Sequence, residues 1–482
     1  MSASTPSGLA MTDATLFTVR DAYRWLPRVV MSARGDEAVS GVSTDSRRCG
    51  PGDLYVALAG DRFDGHDFIA EVLARGVEAV VVDRDVEVLG RWRTPVAVLR
   101  VDDSRQALGW IAAGWRRRFG LPLIAVTGSN GKTTVKEMIA AIVRAQVGDA
   151  AAFATRGNLN NDVGVPQTLL ALRDRHRLGV VELGMNHAGE IAWLAKLTAP
   201  TVAVVTNAQR EHQEFLDGPA ATAWENGAVF ASLPADGVAV FPADDLGTAI
   251  WREQTAGRRT MTFAIGRDDV DVSAAADAQP ARFEARIGAD RVEIRLAIAG
   301  RHNVRNALAA AAACHAQGVP AATIATGLGH FTPAPGRLER RTGPGGIALI
   351  DDSYNANPDS VRAAIDLLVD EPGPRLLILG DMGEVGQQGP AFHAEVGSHA
   401  RSRRIDRFIA VGEACAEAAR AYGPSARWFE SVDALLAAVA AEGPALLGGA
   451  RSVLVKGSRF MRMERVVRSL VADQPVTGEA VH

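Results

Sequence analysis

Cysteine is nearly absent from the 482-residue chain: Cys49, Cys314 and Cys415 are three in number and far apart. An odd, dispersed set excludes a disulfide framework and the clustered ligands of a zinc site, and it suits a reducing compartment. Lysine is scarce too, since the 52 basic residues include only Lys132, Lys136, Lys196 and Lys456. Either a GC-rich genome left these four by chance, or lysine persists where a compact ammonium is required. Charge of one sign is also lacking, because a formal net charge of -4 gives no global pull toward nucleic acid or an anionic membrane. No apolar run is long enough to span a bilayer; the most apolar helical tract, "NALAAAAACHAQG", is alanine-rich and short. The start, "MSASTPSGLAMTDATLF", has no basic region followed by an apolar core and does not read as a secretory signal. Together these absences predict a cytoplasmic protein with neither nucleic-acid partner nor membrane insertion; a monomer is expected, though the sequence leaves the oligomeric state open.

What is present describes a globular α/β protein. Hydrophobic residues make up 47% and charged residues 22%, and the length calls for two to four domains. Residues 1–105 mix short apolar runs such as "DLYVALAG" and "VEAVVVD" with turn residues, as a small α/β domain would. "SRQALGWIAAGWRRRFG" then predicts an amphipathic helix from Ser104 to Gly120, with Ser104 as its cap. Residues 106–333 alternate helices with the continuous apolar runs "LPLIAVTG", "LGVVELG" and "TVAVVTNA". Such runs fit parallel strands covered on both faces, in a doubly wound sheet that binds ligands beyond the strands' carboxyl ends. A later helix, "HNVRNALAAAAACHAQG", is expected to end at Gly318. "FTPAPGRLERRTGPGG" from Phe331 reads as a linker, with three prolines and four glycines. Residues 334–482 form a third, Rossmann-like alternation, with "IALIDDS", "RLLILGD", "RFIAVGE" and "RSVLVKG" as strands.

The stretch "AVTGSNGKTTVKE" resembles a phosphate-binding loop shortened by two residues, since only Ser129 and Asn130 separate Gly128 from Gly131. It lies between a buried strand and an apolar-periodic helix, where backbone N–H groups face an incoming anion. In that context Thr127 to Thr134 would cradle ATP, Lys132 would reach the terminal phosphates and the Thr133 hydroxyl would ligate Mg²⁺. A chance glycine turn would not require the Lys-Thr-Thr run. Other strand ends offer partners. Glu182 could hold Mg²⁺ or be a solvated or capping glutamate, and His212 could help hold a second metal or be structural. Asn303 and Asn306 could face adenine or serve as a cap and a helix-face hydrogen bond. Arg337 and Asp352 could reach a nucleotide only if two domains close over it, which points to a hinge near "PAPGR".

Together "TGSNGKTT", "GNLNNDVGVPQTLL", "VELGMNHAGEI", "GRHNVRNALAAAAA", "DDSYNANPDSV", "LGDMGEVG" and "VLVKGSRFMRME" resemble the Mur ligases of peptidoglycan synthesis. The resemblance runs from about Ser43 to Arg465, and "STDSRRCGPGDLYVALAGDRFDGHDF" looks like the family's UDP-binding region. It implies three α/β domains: a small N-terminal one for the UDP substrate, a central ATPase-like one and a C-terminal Rossmann-like one. It further implies a reaction. ATP phosphorylates the terminal carboxylate of UDP-N-acetylmuramoyl-tripeptide, and the amine of D-alanyl-D-alanine displaces phosphate from that acyl phosphate.

The resemblance also implies roles. Lys132 and Thr133 keep the loop functions, while Glu182 and His212 are metal ligands. Asn303 or Asn306 contacts adenine, and Arg337 and Asp352 contact phosphate and ribose. Asn158, Asn160 and Asn161 face the muramoyl substrate, and Ser43, Asp45, Ser46, Arg47 and His66 face UDP. Asn355 and Asn357 belong to the motif that separates this branch from its relatives. Lys456, Ser458 and Arg459 would meet a substrate carboxylate or form a solvated basic loop. One departure stands out. The family's carbamylated lysine has no counterpart, because "TAWENGAVF" (222–230) carries Glu225 and Asn226 and no lysine. Either Glu225 supplies the missing charge at the metal, or a second metal is held differently. The rival readings are another ligase of the family, a nucleotide hydrolase or kinase that forms no amide, and a regulatory nucleotide-binding module.

Overall fold

The computed structural model describes residues 15–32, 35–60, 62–91, 96–211, 213–214, 218–279 and 281–471. Most of the N-terminal stretch weighed as a signal, and His212, lie outside the described residues.

The chain builds one main α/β sheet per unit, and the first unit adds a two-stranded pairing of Phe17–Thr18 with Ala38–Val39. The first main sheet has the strand order 29–31, 97–101, 79–82, 53–56, 41–43 and is parallel except at its 29–31 edge. In the second, the strand Leu123–Thr127 lies between Leu178–Glu182 and Val202–Val205, parallel to both. All three of these strands are fully buried, as the continuous apolar runs require. The C-terminal sheet is parallel in the order 348–352, 452–456, 375–380, 407–411, 427–429.

Three local expectations change. The helix runs Ser104–Arg116 and its cap is Asp103, whose carboxylate accepts the Gln106 N–H. Asp103 displaces the expected Ser104 because Ser104 is already helical and buried. The alanine-rich helix Arg301–Ala316, by contrast, is capped at Gln317 and terminated by Gly318 in the left-handed region (φ +79°), as expected. The linker is partly ordered: Glu339–Thr342 pairs antiparallel with Ala348–Asp352 and closes the edge of the C-terminal sheet. A hairpin, Arg282–Ile287 with Asp290–Arg295, extends the central sheet and was not anticipated.

The three units are not equally separate. Residue 105/106, the expected first boundary, falls inside the helix Ser104–Arg116. That helix joins one continuous apolar cluster that runs from Leu16 to Trp251. Trp25 packs so closely on Gly114 that a Cβ there would lie 2.1 Å from the indole. The C-terminal unit instead folds around two clusters almost entirely its own. It meets the central unit mainly through polar side chains, with Ala299 and Leu338 packing on its core.

Candidate active site

A cleft of about 1030 Å³ opens between the central and C-terminal units beyond the carboxyl ends of their strands. This is where a doubly wound sheet binds ligands. Its floor is the short loop. Gly128 has φ +127°, and a Cβ would approach Thr206 N to 2.8 Å; Gly131 has φ +83° and caps the helix Lys132–Val147. Both positions therefore need glycine. The neighbouring strand end holds the loop in place. Asn130 N donates to Asn207 Oδ1 (2.9 Å), Thr206 Oγ1 donates to Asn130 O (2.7 Å), and Gln209 N donates to Ser129 Oγ (2.9 Å).

Lys132 Nζ donates to Gly128 O (2.6 Å), Ser129 O (3.0 Å) and Glu211 Oε1 (2.6 Å). Its three donors are thus folded back over the helix start, where a polyphosphate would otherwise take them. Thr133 Oγ1 donates to Glu182 Oε1 (3.0 Å), which also accepts from Asn160 Nδ2 (2.8 Å). Glu182 is 1% exposed and its Oε2 is buried without a hydrogen-bond partner. A buried orphan carboxylate oxygen beside a hydroxyl fits a hard cation such as Mg²⁺.

The adenine candidates lie against this loop. Asn306 Oδ1 sits 2.5 Å from where a Gly131 Cβ would be, and Asn306 Nδ2 donates to Asn303 Oδ1 (3.0 Å). Asn303 Nδ2 donates to Ala299 O (2.7 Å) and to His302 Nε2 (3.1 Å). Burial lowers the His302 pKa, consistent with a neutral imidazole that accepts there.

From the C-terminal side, Asp352 Oδ2 pairs with Lys456 Nζ at 2.6 Å, and Lys456 also donates to Asn355 O (2.8 Å). Lys456 is 3% exposed, so the solvated-loop reading is corrected: burial forces the ammonium onto Asp352. Ser458 Oγ is likewise internal, donating to Ala356 O and accepting from Gly383 N. Arg337 and Arg459 flank the Tyr354 ring, at 4.2 and 5.9 Å. Asn357 caps the helix Pro358–Val369 and donates to Asn130 Oδ1 across the cleft (2.9 Å).

Asn158, Asn160, Asn161 and Asp162 line the opposite wall. Asn161 spends its carbonyl on Gly164 N (2.8 Å), at the start of the helix Gly164–Leu170. Gln167 on that helix donates to Thr44 (3.1 Å), which draws the Ser43–Arg47 turn alongside. In that turn Asp45 accepts from Arg47 Nε and Nη2, and hydrogen bonding by Arg47 holds its carboxyl at about 2. Ser46 O accepts from Cys49 Sγ.

Two sequence assignments do not reach a ligand site. His66 is 6% exposed, with Nδ1 against Asp64 (2.6 Å) and Nε2 accepting from Asp83 N (3.3 Å). Both imidazole nitrogens serve the fold. Glu225 is buried away from the cleft and accepts the Ile191 N–H (3.1 Å), on the helix Glu190–Thr198. The dipole and orphan N–H groups of that helix start hold the carboxylate. Asn226 is also internal, joining Thr127 Oγ1 (2.8 Å) to Thr222 O (3.0 Å). Sequence reasoning missed Glu211, Arg210, Tyr354 and Asp162. Tyr354 and Asp162 lie inside the quoted motifs "DDSYNANPDSV" and "GNLNNDVGVPQTLL", which could have marked them, whereas only proximity in three dimensions marks Arg210 and Glu211.

Comparison with known proteins gives the same picture. The Mur ligase middle domain matches residues 126–314, the Mur ligase glutamate ligase domain 336–459, and the Mur ligase family catalytic domain 38–116. The UDP-N-acetylmuramoyl-tripeptide–D-alanyl-D-alanine ligase of Escherichia coli K12 is 38% identical over 440 residues, 90% of this chain and 94% of that protein. The ligase of the same name from Bacillus subtilis is 33% identical, over 90% and 93%. A MurF crystal structure from Acinetobacter baumannii superposes with a TM-score of 0.86 at 33% identity, covering 94% of this chain and 98% of that one. Motifs, fold and relatives agree, and the chain belongs to the Mur ligase family, among the UDP-N-acetylmuramoyl-tripeptide–D-alanyl-D-alanine ligases.

Proposed function

We propose that the chain is an ATP-dependent amide ligase that joins D-alanyl-D-alanine to UDP-N-acetylmuramoyl-tripeptide in the cytoplasm, acting as a monomer. The observation that carries this reading is Lys132 at the head of its helix, facing the Thr133–Glu182 pair in a cleft closed by the C-terminal unit. A hydrolase would need only the first half of that arrangement.

A carboxylate is a poor acyl donor, and phosphorylation gives it a leaving group. The γ-phosphoryl passes from ATP to the terminal carboxylate oxygen of the tripeptide. The D-alanyl-D-alanine amine then adds to the acyl carbon, loses a proton, and phosphate departs with the C–O electron pair. Little of this requires covalent help from the protein, whose work is positioning and charge neutralisation. Lys132 exchanges Glu211 for phosphate oxygens, and the loop N–H groups turn toward them. Thr133 and Glu182 would hold Mg²⁺, which when bound spreads the phosphate charge. Asn303 or Asn306 recognises adenine; Arg337 and Asp352 approach phosphate and ribose. Asn158, Asn160 and Asn161 line the muramoyl path. Ser43, Asp45, Ser46 and Arg47 mark the UDP end, within a unit reaching to about residue 105. Asn355, Asn357, Ser458 and Arg459 form the side from which the amine enters, with Lys456 fixing Asp352.

The test is phosphate release from ATP and Mg²⁺ with each substrate alone and then with both. Release that requires both, with the pentapeptide mass appearing, supports the ligase. Release with neither substrate would replace it with a nucleotide hydrolase.

A further inference from the structure

Arg210 follows the strand Val202–Val205 of the central unit, yet every side-chain partner it has is C-terminal. Nη2 donates to Asp359 Oδ1 (2.6 Å) and to Glu395 Oε1 (3.0 Å), Nη1 to Glu395 Oε2 (2.7 Å), and the backbone N–H to Asp359 Oδ2 (3.0 Å). The guanidinium also lies 5.1 Å from the centre of the Phe392 ring. Asp359 stands in the first turn of the helix Pro358–Val369, and Phe392 and Glu395 are on the helix Gly389–Ser402. One planar cation therefore grips two helices of the other unit, in the forked geometry that a lysine lacks.

What this grip fixes is the chemistry. Asn357, two residues before Asp359, pairs amide to amide with Asn130 of the phosphate loop, at 2.9 and 3.3 Å. On the other side the next residue, Glu211, holds Lys132. The segment thus touches the phosphate-binding lysine and the C-terminal helix start through adjacent side chains. The C-terminal unit has its own cores, so the grip is not needed for it to fold.

We infer that Arg210 is a positioning residue of the ligase, holding the C-terminal wall of the cleft in register with the phosphate loop. Its guanidinium is committed to two carboxylates and an aromatic face, so it acts through them and not on the reacting atoms. The assignment rests on the proposed ligase function.

The experiment uses the full chain with Arg210→Ala and Arg210→Lys, plus Asp359→Asn should the alanine variant fail to fold. Arg210→Ala is expected to lower kcat about 100-fold, the scale of an ångström-level misplacement. The KM for ATP should move less than kcat does, since most of the proposed ATP contacts lie on the central unit and only Arg337 and Asp352 come from the C-terminal one. Small-angle scattering of the substrate-free chain should give a larger radius of gyration for Arg210→Ala. Arg210→Lys should recover part of both changes. A kcat within about twofold of the parent, or a lower kcat with an unchanged radius of gyration, overturns the assignment. A parent chain that forms no amide would sink the ligase reading alone, while scattering would still decide whether Arg210 holds the C-terminal unit.

Discussion

At the residue scale the four lysines divide in two. Lys132 and Lys456 line the cleft, whereas Lys136 is buried beside Glu137 and Lys196 stacks 4.8 Å from the Trp110 ring. Scarcity therefore pointed to the site for half of them and to packing for the rest. Lys132→Ala should reduce ATP-dependent product formation by about 10²–10³-fold, the scale of losing one charge-stabilising donor. The melting temperature should fall modestly, because Glu211 and the Gly128 and Ser129 carbonyls lose a shared donor; phosphate release and a thermal melt check both. Glu182→Gln replaces one carboxylate oxygen by a donor where Oε2 has no partner. The Mg²⁺ concentration for half-maximal turnover should rise about tenfold or more in a Mg²⁺ titration, in line with loss of a metal contact. An unchanged titration would remove Glu182 from the metal.

At the element scale, turn and cap chemistry decide the outcomes. Gly128→Ala forces a Cβ against Thr206 N in a backbone region that disfavours side chains. It should cost about 2–3 kcal/mol and abolish nucleotide binding, read from denaturant unfolding and ATP titration. Asp103→Ala removes the cap of the helix Ser104–Arg116 and should cost about 1 kcal/mol without touching the cleft. The contrast separates a structural turn from a functional one. The same scale explains the corrected expectations. The sequence reading puts the cap at Ser104, and the helix's first hydrogen bonds move that role to Asp103, a residue type equally suited to it. The strand Glu339–Thr342 was hidden because "ERRT" carries no apolar alternation, and it gains its order from the edge of the sheet beside it.

At the scale of the whole molecule, two units share one core and the third is joined to them largely through charged and polar side chains, with Ala299 and Leu338 adding apolar contact. Hydrogen bonding by Arg210 holds Glu395 at about 2, below its ordinary 4.5. A lowered carboxyl contributes stability that is complete above pH 4.5 and lost as pH falls toward 2. The grip between the units should therefore loosen through that window. Scattering between pH 5 and 2 is expected to show expansion before global unfolding. Glu395→Gln should show the expansion already at neutral pH and a flatter acid response. A parent chain as compact at pH 2 as at pH 7 would refute this.

The sequence by itself determined the three α/β alternations, the parallel strands around the phosphate loop, and the loop's glycines, lysine and threonine. These follow from local periodicity and from spacing along a strand, a turn and a helix, which neighbours in the chain enforce. It also pointed to Glu182 and Asp352 as candidates, because each ends a strand at the carboxyl edge of a sheet, and to Asn303 and Asn306 in the first two turns of a helix. Tertiary structure alone decided that His66 and Glu225 serve the fold, that Lys456 is buried on Asp352, and that Arg210 and Glu211 join the cleft to the C-terminal unit. A buried charge takes the partner that folding brings near it, and residues 149 or 185 positions apart announce no such meeting in the chain.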